Sequence, residues 1–302
     1  MILLLDAGNS RLKWARVVEG GFCFGGAIER EDRPPRVLFR ALWSDLEPAP
    51  ARMVVANVAG DSFRRSLTAW VRRRWGITPE YPRPQAQGFG IVNGYRDPER
   101  LGVDRWFALV AAARKVKKGA VCVIDCGTAM TIDAMDSRHR HLGGLILPGL
   151  RLMRETLVRH TEGIALQEAP ALDEAAVAPL GRDTASGVLG GTLYAGVAMI
   201  ERLLEELAAE LGERVQAILT GGEAEAYLPL LRDRPQHAPY LVLEGLAWYA
   251  RRTAQAQPAR PRRGDGQEAA PAAPGADETA TPAPVAAEPV AEQGEAPAGI
   301  EA

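Results

Sequence analysis

Residues 2–15 read ILLLDAGNSRLKWA and residues 121–134 read VCVIDCGTAMTIDA. Each starts as an apolar run of strand length and ends in Asp-x-Gly (Asp6 to Gly8, Asp125 to Gly127). Each then passes through an amide or hydroxyl residue into a second segment of alternating character. The copies lie 119 residues apart, the size of one α/β half-domain. Helical periodicity occupies 62–75, 103–118, 185–211 and 223–232, and a further strand at 215–219 runs into Thr220-Gly221-Gly222. Strands alternating with helices make the chain α/β, and the repeat predicts two related halves with a cleft between them.

Working outward, the halves are expected at 1–118 and 119–254. Residues 255–302 form an Ala/Pro/Glu-rich tail without aromatic residues, too poor in apolar surface to offset its ordering entropy and therefore expected to be disordered. From Gly264 onward the tail carries eight acidic residues and no Lys or Arg, so the rest of the chain has 36 basic against 30 acidic residues. That mildly positive body suits anionic small molecules and is too weak to argue for nucleic acid. The basic runs Arg72-Arg73-Arg74 and Arg251-Arg252 fall on helical patterns and read as solvated faces. Three scattered cysteines (Cys23, Cys122, Cys126) make a disulfide framework improbable and fit a reducing cytosol. The N-terminus has no basic leader, and no run approaches the roughly 20 apolar residues of a membrane span. A soluble, cytoplasmic protein is the expectation.

The chemistry-bearing residues begin at the first repeat. A tight turn between strands, opened by Gly8, lets backbone N–H groups face phosphate oxygens. Asn9 and Ser10 add side-chain donors and Lys13 adds charge, while Asp6 is a carboxylate suited to holding Mg²⁺ through water. One such turn could equally close an ordinary hairpin; two at domain spacing favour phosphate binding, with Asp125 to Thr128 gripping from the opposite half. Cys122 and Cys126 share one strand face and have no ligand-type partners nearby, which reads as packing. Thr220-Gly221-Gly222 ahead of Glu223 is a weaker signal for an adenosine platform. Neither a Walker-type loop nor a G-x-G-x-x-G at a strand–helix junction occurs, which disfavours P-loop and Rossmann readings.

The stretch 95–106, YRDPERLGVDRW, places Asp104 two residues after a glycine at the start of a helical run. Such a carboxylate serves as an N-cap. It also suits accepting a proton from a hydroxyl that attacks a γ-phosphate, with Arg105 binding an anionic group. His139 and His141 flank Arg140 in a polar hairpin pattern and read as surface residues.

Taken in order, Asp6-Ala-Gly-Asn-Ser10, Gly102-Val-Asp-Arg105, Asp125-Cys-Gly-Thr-Ala129, Gly143-Gly-Leu-Ile-Leu-Pro-Gly149, Asp183-Thr-Ala-Ser-Gly187 and Thr220-Gly-Gly222 resemble the motifs of type III pantothenate kinases. These belong to the superfamily of acetate and sugar kinases, heat-shock chaperones and actin. The resemblance covers residues 1 to about 250 and departs only in Ser10, where the pattern often has Thr. It implies a duplicated actin-like (ribonuclease H-like) ATPase fold of two lobes with an interlobe cleft. It also implies transfer of phosphate from ATP to pantothenate, giving 4′-phosphopantothenate. By the same resemblance Asp6, Ala7, Gly8, Asn9, Ser10, Arg11, Leu12, Lys13 and Thr128 bind ATP. Asp104 is the proton acceptor, and Tyr95, Gly102, Val103, Asp104, Arg105 and Thr184 contact pantothenate. Asp125 lies near a monovalent cation (K⁺ or NH₄⁺), and Mg²⁺ accompanies the nucleotide through Asp6. A homodimer is implied, with the helix pattern at 185–211 as the candidate interface. A kinase for another small hydroxylated metabolite and a nucleotide-dependent transcriptional accessory factor remain the alternatives; the Asp104-Arg105 pair argues against the latter, since a binding module needs no proton acceptor.

Overall fold

The first repeat opens as a strand pair: β1 (Ile2–Ala7) runs antiparallel to β2 (Arg11–Val18), which pairs with β3 (Gly21–Glu29). The computed structural model describes residues 1–164 and 180–256, so the tail expected beyond Ala256 lies outside the described residues. After helix α1 (Pro35–Trp43), strand β4 (Arg52–Asn57) adds parallel to β1 and completes a sheet of order β3-β2-β1-β4. Helix α2 (Asp61–Trp75) follows and ends where Gly76 takes the left-handed conformation that terminates helices cheaply. A short hairpin, β5 (Gln87–Gly88) with β6 (Ile91–Val92), leads to helix α3 (Val103–Lys115).

The second repeat rebuilds the same plan. Strand β7 (Ala120–Cys126) pairs antiparallel with β8 (Ala129–Met135), and β8 pairs with β9 (His141–Pro148). Helices α4 (Leu150–His160) and α5 (Thr184–Leu211) precede β10 (Val215–Thr220), which joins β7 in parallel as β4 joins β1. Helix α6 (Ala224–Tyr227), the two-residue strand β11 (Gln236–His237) and helix α7 (Leu241–Ala256) finish the described chain. The sheet order β11-β10-β7-β8-β9 therefore repeats the first sheet, strand for strand, with β11 added.

Three cores hold these layers. Leu3, Leu5, Met53 and Val55 of the first sheet pack on one face against Phe39, Trp43, Phe63 and Leu67 of α1 and α2. The middle core joins Leu4 and Val54 of the first sheet, Val121 and Val123 of the second, and the buried faces of α3 and α7. Helix α7 follows the second repeat in sequence, yet it packs on β1, β4 and α3, so the two sheets share this inner helical layer. The third core sets Ile124, Ile132 and Leu219 against Leu193, Val197 and Ile200 of α5. Each fully buried Leu or Ile contributes about 1.5–3 kcal/mol by leaving water. By length and composition α5 would be able to cross a membrane, and its buried residues are instead committed to this core.

Two local expectations change. The pattern over 223–232 yields helix only at Ala224–Tyr227, with turns beyond it. His141 is not a surface residue: it begins β9 with its side chain fully buried, because Asp133 on the neighbouring strand supplies a polar partner. His139 is half-buried, its Nε2 3.2 Å from the Val116 carbonyl, and Arg140 alone of the three is exposed.

Candidate active site

Asp6 and Asp125 stand near the C-terminal ends of the two central strands, β1 and β7, just before the turns that follow them. Both are half-buried. Burial raises Asp6 from its ordinary value to about 7; Lys13 opposes this, while the charges of Asp104 and Asp125 add to it. Asp125 is raised to about 6, again by burial first, with Lys13 opposing and Asp104 and Asp133 adding. The carboxyl of Asp104 is likewise raised by burial, against the pull of the Arg105 N–H and charge. Asp6, Asp104, Asp125 and Lys13 are thus within electrostatic reach of one another. In β1–β2 register Lys13 lies directly opposite Asp6.

The two turns meet across the cleft. Ser10 Oγ and Thr128 Oγ1 are 2.7 Å apart, a hydrogen bond between residues 118 positions distant in the chain. Arg151 Nη2 also donates to Ser10 Oγ, at 3.1 Å. Gly221 closes the floor: its φ is +94°, and a Cβ there would stand 2.3 Å from the Cys126 carbonyl and 2.6 Å from Asp125 Oδ1. Only glycine lets the Thr220–Gly222 turn come this close. The next residue, Glu223, accepts from the N–H groups of Leu150 (2.9 Å) and Arg151 (3.2 Å), placing a carboxylate at the positive end of α4. Arg11 belongs to the same neighbourhood, ion-paired with Glu29 and close to Gly222. Ala7 and Leu12 are buried strand residues that carry the turn rather than reach into it. Cys122 and Cys126 are buried, with the Cys122 thiol pushed up to about 12 by desolvation, in keeping with packing.

Asp104 stands in the first turn of α3 and is not its N-cap: that position is Gly102, which has no side chain to cap with. Asp104 Oδ1 accepts from the N–H of Arg105 at 2.8 Å, and a Cβ on Gly102 would lie 2.5 Å from that oxygen. Gly102 thus makes room for the carboxylate, and Val103 starts the helix. Arg105 departs from the expectation of a free anion binder. Its side chain is 6% exposed, and its Nε and Nη2 each donate to Asp133, both at 2.7 Å, while Nη1 donates to Tyr95 Oη at 2.7 Å. His141 Nε2 stands 2.9 Å from the same Asp133 Oδ1 and its ring stacks on Tyr95. A bidentate, desolvated pair of this kind fixes geometry first and leaves little charge over. Asp133 and His141 were missed in the motifs. Asp133 was legible as a lone charge in the otherwise apolar run of β8, whereas nothing in the spacing of His141 announced it. In the sequence Glu223 is visible only as the residue that follows the glycine turn and opens a helical pattern.

Thr184 is not brought to the carboxylates. It is exposed in the first turn of α5, after Asp183 and Ser186 form a reciprocal capping box. There it lines an apolar cleft of about 560 Å³ between α4 and α5, with Met153, Leu157 and Val188.

A family model described as type III pantothenate kinase matches residues 2–206. A type III pantothenate kinase of Nitrosococcus oceani is 40% identical over 259 residues, 84% of this chain and 96% of that protein. One from Halorhodospira halophila is 37% identical, again over 84% of this chain and all of its own length. Among solved structures, a protein of Sinorhizobium meliloti described as a 2-dehydro-3-deoxygalactonokinase superposes with TM-score 0.51 at 17% identity. It covers 84% of this chain and 99% of that one. A Campylobacter jejuni protein of the Baf family gives 0.52 at 16% identity, with the same coverage. These likenesses speak for the fold alone, and with the repeated sheet order they make it the duplicated, two-lobed actin-like ATPase fold.

Proposed function

The chain belongs to the type III pantothenate kinase family, and on that premise we propose that it transfers the γ-phosphoryl group of ATP to the primary hydroxyl of pantothenate through the site just described. The product is 4′-phosphopantothenate, the first intermediate toward coenzyme A. The observation that carries this reading is the Ser10–Thr128 bridge that joins the two turns, with Asp6, Lys13, Asp104 and Asp125 within electrostatic reach of one another.

Phosphoryl transfer is helped chiefly by positioning and by charge neutralisation, since the protein has little covalent chemistry to do. The residues from Asp6 to Lys13 would hold the triphosphate from one lobe and Thr128 from the other. Asp104 would accept the hydroxyl proton. Its raised pKa suits a base that must compete for a proton near neutral pH. Tyr95 receives an N–H from Arg105, so its own hydroxyl proton is free for pantothenate. Arg105 would serve the substrate through Tyr95, whose hydroxyl it orients while Asp133 keeps the guanidinium plane fixed.

Asp6 and Asp125 are raised because burial outweighs the attraction of Lys13. That deficit fits cations. Mg²⁺ would be held by Asp6 through water and by phosphate oxygens, as suits a hard cation that keeps much of its hydration. Mg²⁺ would supply neutralisation of the phosphate charge, and a monovalent cation (K⁺ or NH₄⁺) would do the same near Asp125. A homodimer is supported by the apolar α4–α5 cleft and by exposed Leu145, Ile146 and Leu152 nearby in the chain. This would place Thr184 at the interface. A cytoplasmic location follows from the need for ATP; no membrane or nucleic-acid partner enters the reading.

The test is ATP consumption with pantothenate against a panel of sugars and hydroxy acids. Pantothenate-dependent ADP formation with 4′-phosphopantothenate as product is expected. Turnover with another acceptor and none with pantothenate would overturn the substrate. Light scattering on the purified protein tests the dimer, which a monomer at micromolar concentration would exclude.

A further inference from the structure

Arg30 lies one residue beyond β3, outside both repeats, and holds the first turn from behind. Its Nη1 donates to the carbonyl oxygens of Gly8 (3.0 Å) and Asn9 (2.7 Å). Its backbone N–H donates to Ser10 O at 2.7 Å, so three consecutive carbonyls of the turn are bound to one residue. The guanidinium rests over the ring of Phe63, 5.1 Å from its centroid, and Phe63 is buried in the α1–α2 core. That cation–π contact braces the side chain in place.

In a trans peptide the carbonyl of one residue and the N–H of the next point in opposite directions. The Gly8–Asn9 and Asn9–Ser10 bonds are trans, the cis bond among the described residues being Glu47–Pro48. Drawing the Gly8 and Asn9 carbonyls to Arg30 therefore turns the N–H groups of Asn9 and Ser10 away from it. Neither of these donates to any described residue, whereas the neighbouring Gly8 N–H is spent on Arg11 O. Successive N–H groups facing one way make an anion-binding concavity. Left alone, a glycine-containing turn resists a peptide flip poorly, and a flipped plane would offer carbonyl oxygen to phosphate.

We propose that Arg30 is a positioning residue for the nucleotide: by holding the Gly8 and Asn9 carbonyls it presents the N–H groups of Asn9 and Ser10 to the phosphates of ATP. The proposal rests on the reading of this turn as a phosphate loop. It assigns Arg30 a role through the backbone, without contact between its side chain and the substrate.

Arg30→Ala is expected to raise both KM for ATP and the Kd for MgADP on the order of tenfold, the loss of about one oriented hydrogen-bonded contact. KM for pantothenate should stay within about twofold, because that effect is confined to the nucleotide side. Arg30→Gln keeps N–H donors for the carbonyls without the charge and should recover most of the loss. Unchanged MgADP affinity in Arg30→Ala, an equal rise in both KM values, or a Gln variant as weak as Ala would each overturn the proposal. Should Arg30→Ala fail to yield folded protein, Arg30→Lys replaces it: charge without the planar fork should bind MgADP more weakly than Arg30→Gln, and the reverse order overturns the proposal. Calorimetric MgADP binding needs no acceptor. Absence of pantothenate turnover in the unmutated protein would therefore sink the substrate reading and leave this measurement decisive for Arg30.

Discussion

The two strand–turn–strand units differ by one residue, and that residue separates their chemistry. The first turn has three residues, Gly8 to Ser10, between β1 and β2; the second has two, Gly127 and Thr128, between β7 and β8. The ladder shifts accordingly, so Asp6 faces Lys13 while Asp125 faces Thr131. An opposite-charge cross-strand pair contributes about 0.2–1 kcal/mol, and Lys13 also lowers Asp125 from a distance, yet burial leaves both carboxylates raised. Duplication has produced two carboxylates served by one ammonium. The fold is repeated and its pairing is not: Lys13 stands opposite Asp6, whereas Thr131 opposite Asp125 brings no charge, and it is there that a monovalent cation is proposed.

If the two units hold the triphosphate while chemistry belongs to a third carboxylate, the largest effect should come from outside both. Asp104→Asn is expected to fold normally and to lose kcat by roughly 10²-fold or more, with KM for ATP little changed. Steady-state kinetics at saturating ATP decide this, and an Asp104→Asn enzyme with unmutated kcat would break the division of labour. Next come the paired substitutions. Asp6→Asn should raise the Mg²⁺ concentration for half-maximal rate on the order of tenfold, one lost oxygen ligand to a hard cation. Asp125→Asn should leave that curve in place and alter activation by K⁺ or NH₄⁺. Identical responses of the two variants would mean the units are interchangeable after all.

Much of this contrast was legible before any coordinates. The apolar runs ending in Asp-x-Gly mark β1 and β7 because a strand buried on both faces must be continuously apolar, and the 119-residue offset announces the duplicated sheet. The positions of the two turns were legible because Asp-x-Gly recurs at the end of both apolar runs, and the start of α3 because a helical pattern opens right after Gly102. What escaped reading depends on distant segments. Arg105 looked like a free anion binder because nothing in its own helix reveals Asp133, 28 residues away, as its partner. His141 looked exposed between polar neighbours until β8 and β9 paired and buried it. Arg30 acts on carbonyls, which have no side-chain identity to read. The position of α7 on the first sheet likewise follows from packing and not from sequence order.

The same comparison carries a pH dependence. For Asp6 and Asp125 the folded-state values, about 7 and about 6, lie above the ordinary 3.8. Between the two limits the native form binds more protons than the unfolded chain, so these groups favour the fold at low pH and cost stability as pH rises toward 7. The melting temperature of ligand-free protein should therefore fall between about pH 5 and pH 8 by more than that of Asp6→Asn, whose amide cannot ionise. Bound MgADP should flatten the slope by bringing cations to the carboxylates. Equal slopes for the two proteins, without ligand, would remove Asp6 from the account.

The smallest expected effect is also the sharpest probe of the one-residue difference. Thr131→Lys places an ammonium opposite Asp125 in the register where Lys13 stands opposite Asp6. If the second unit needs a monovalent cation only because its shorter turn left it without a partner of its own, the tethered charge should substitute for part of that need. Activation by K⁺ or NH₄⁺ should shrink severalfold, with Mg²⁺ dependence and KM for pantothenate near their original values. Thr131 is half-buried, so the lysine stem can lie along the strand pair and its head can reach the cleft edge. A Thr131→Lys enzyme that keeps full monovalent activation would show that the cation does more at Asp125 than cancel charge. It would then have to bridge Asp125 to phosphate oxygen, a task for which an ion with several open coordination positions is suited and a tethered ammonium is not.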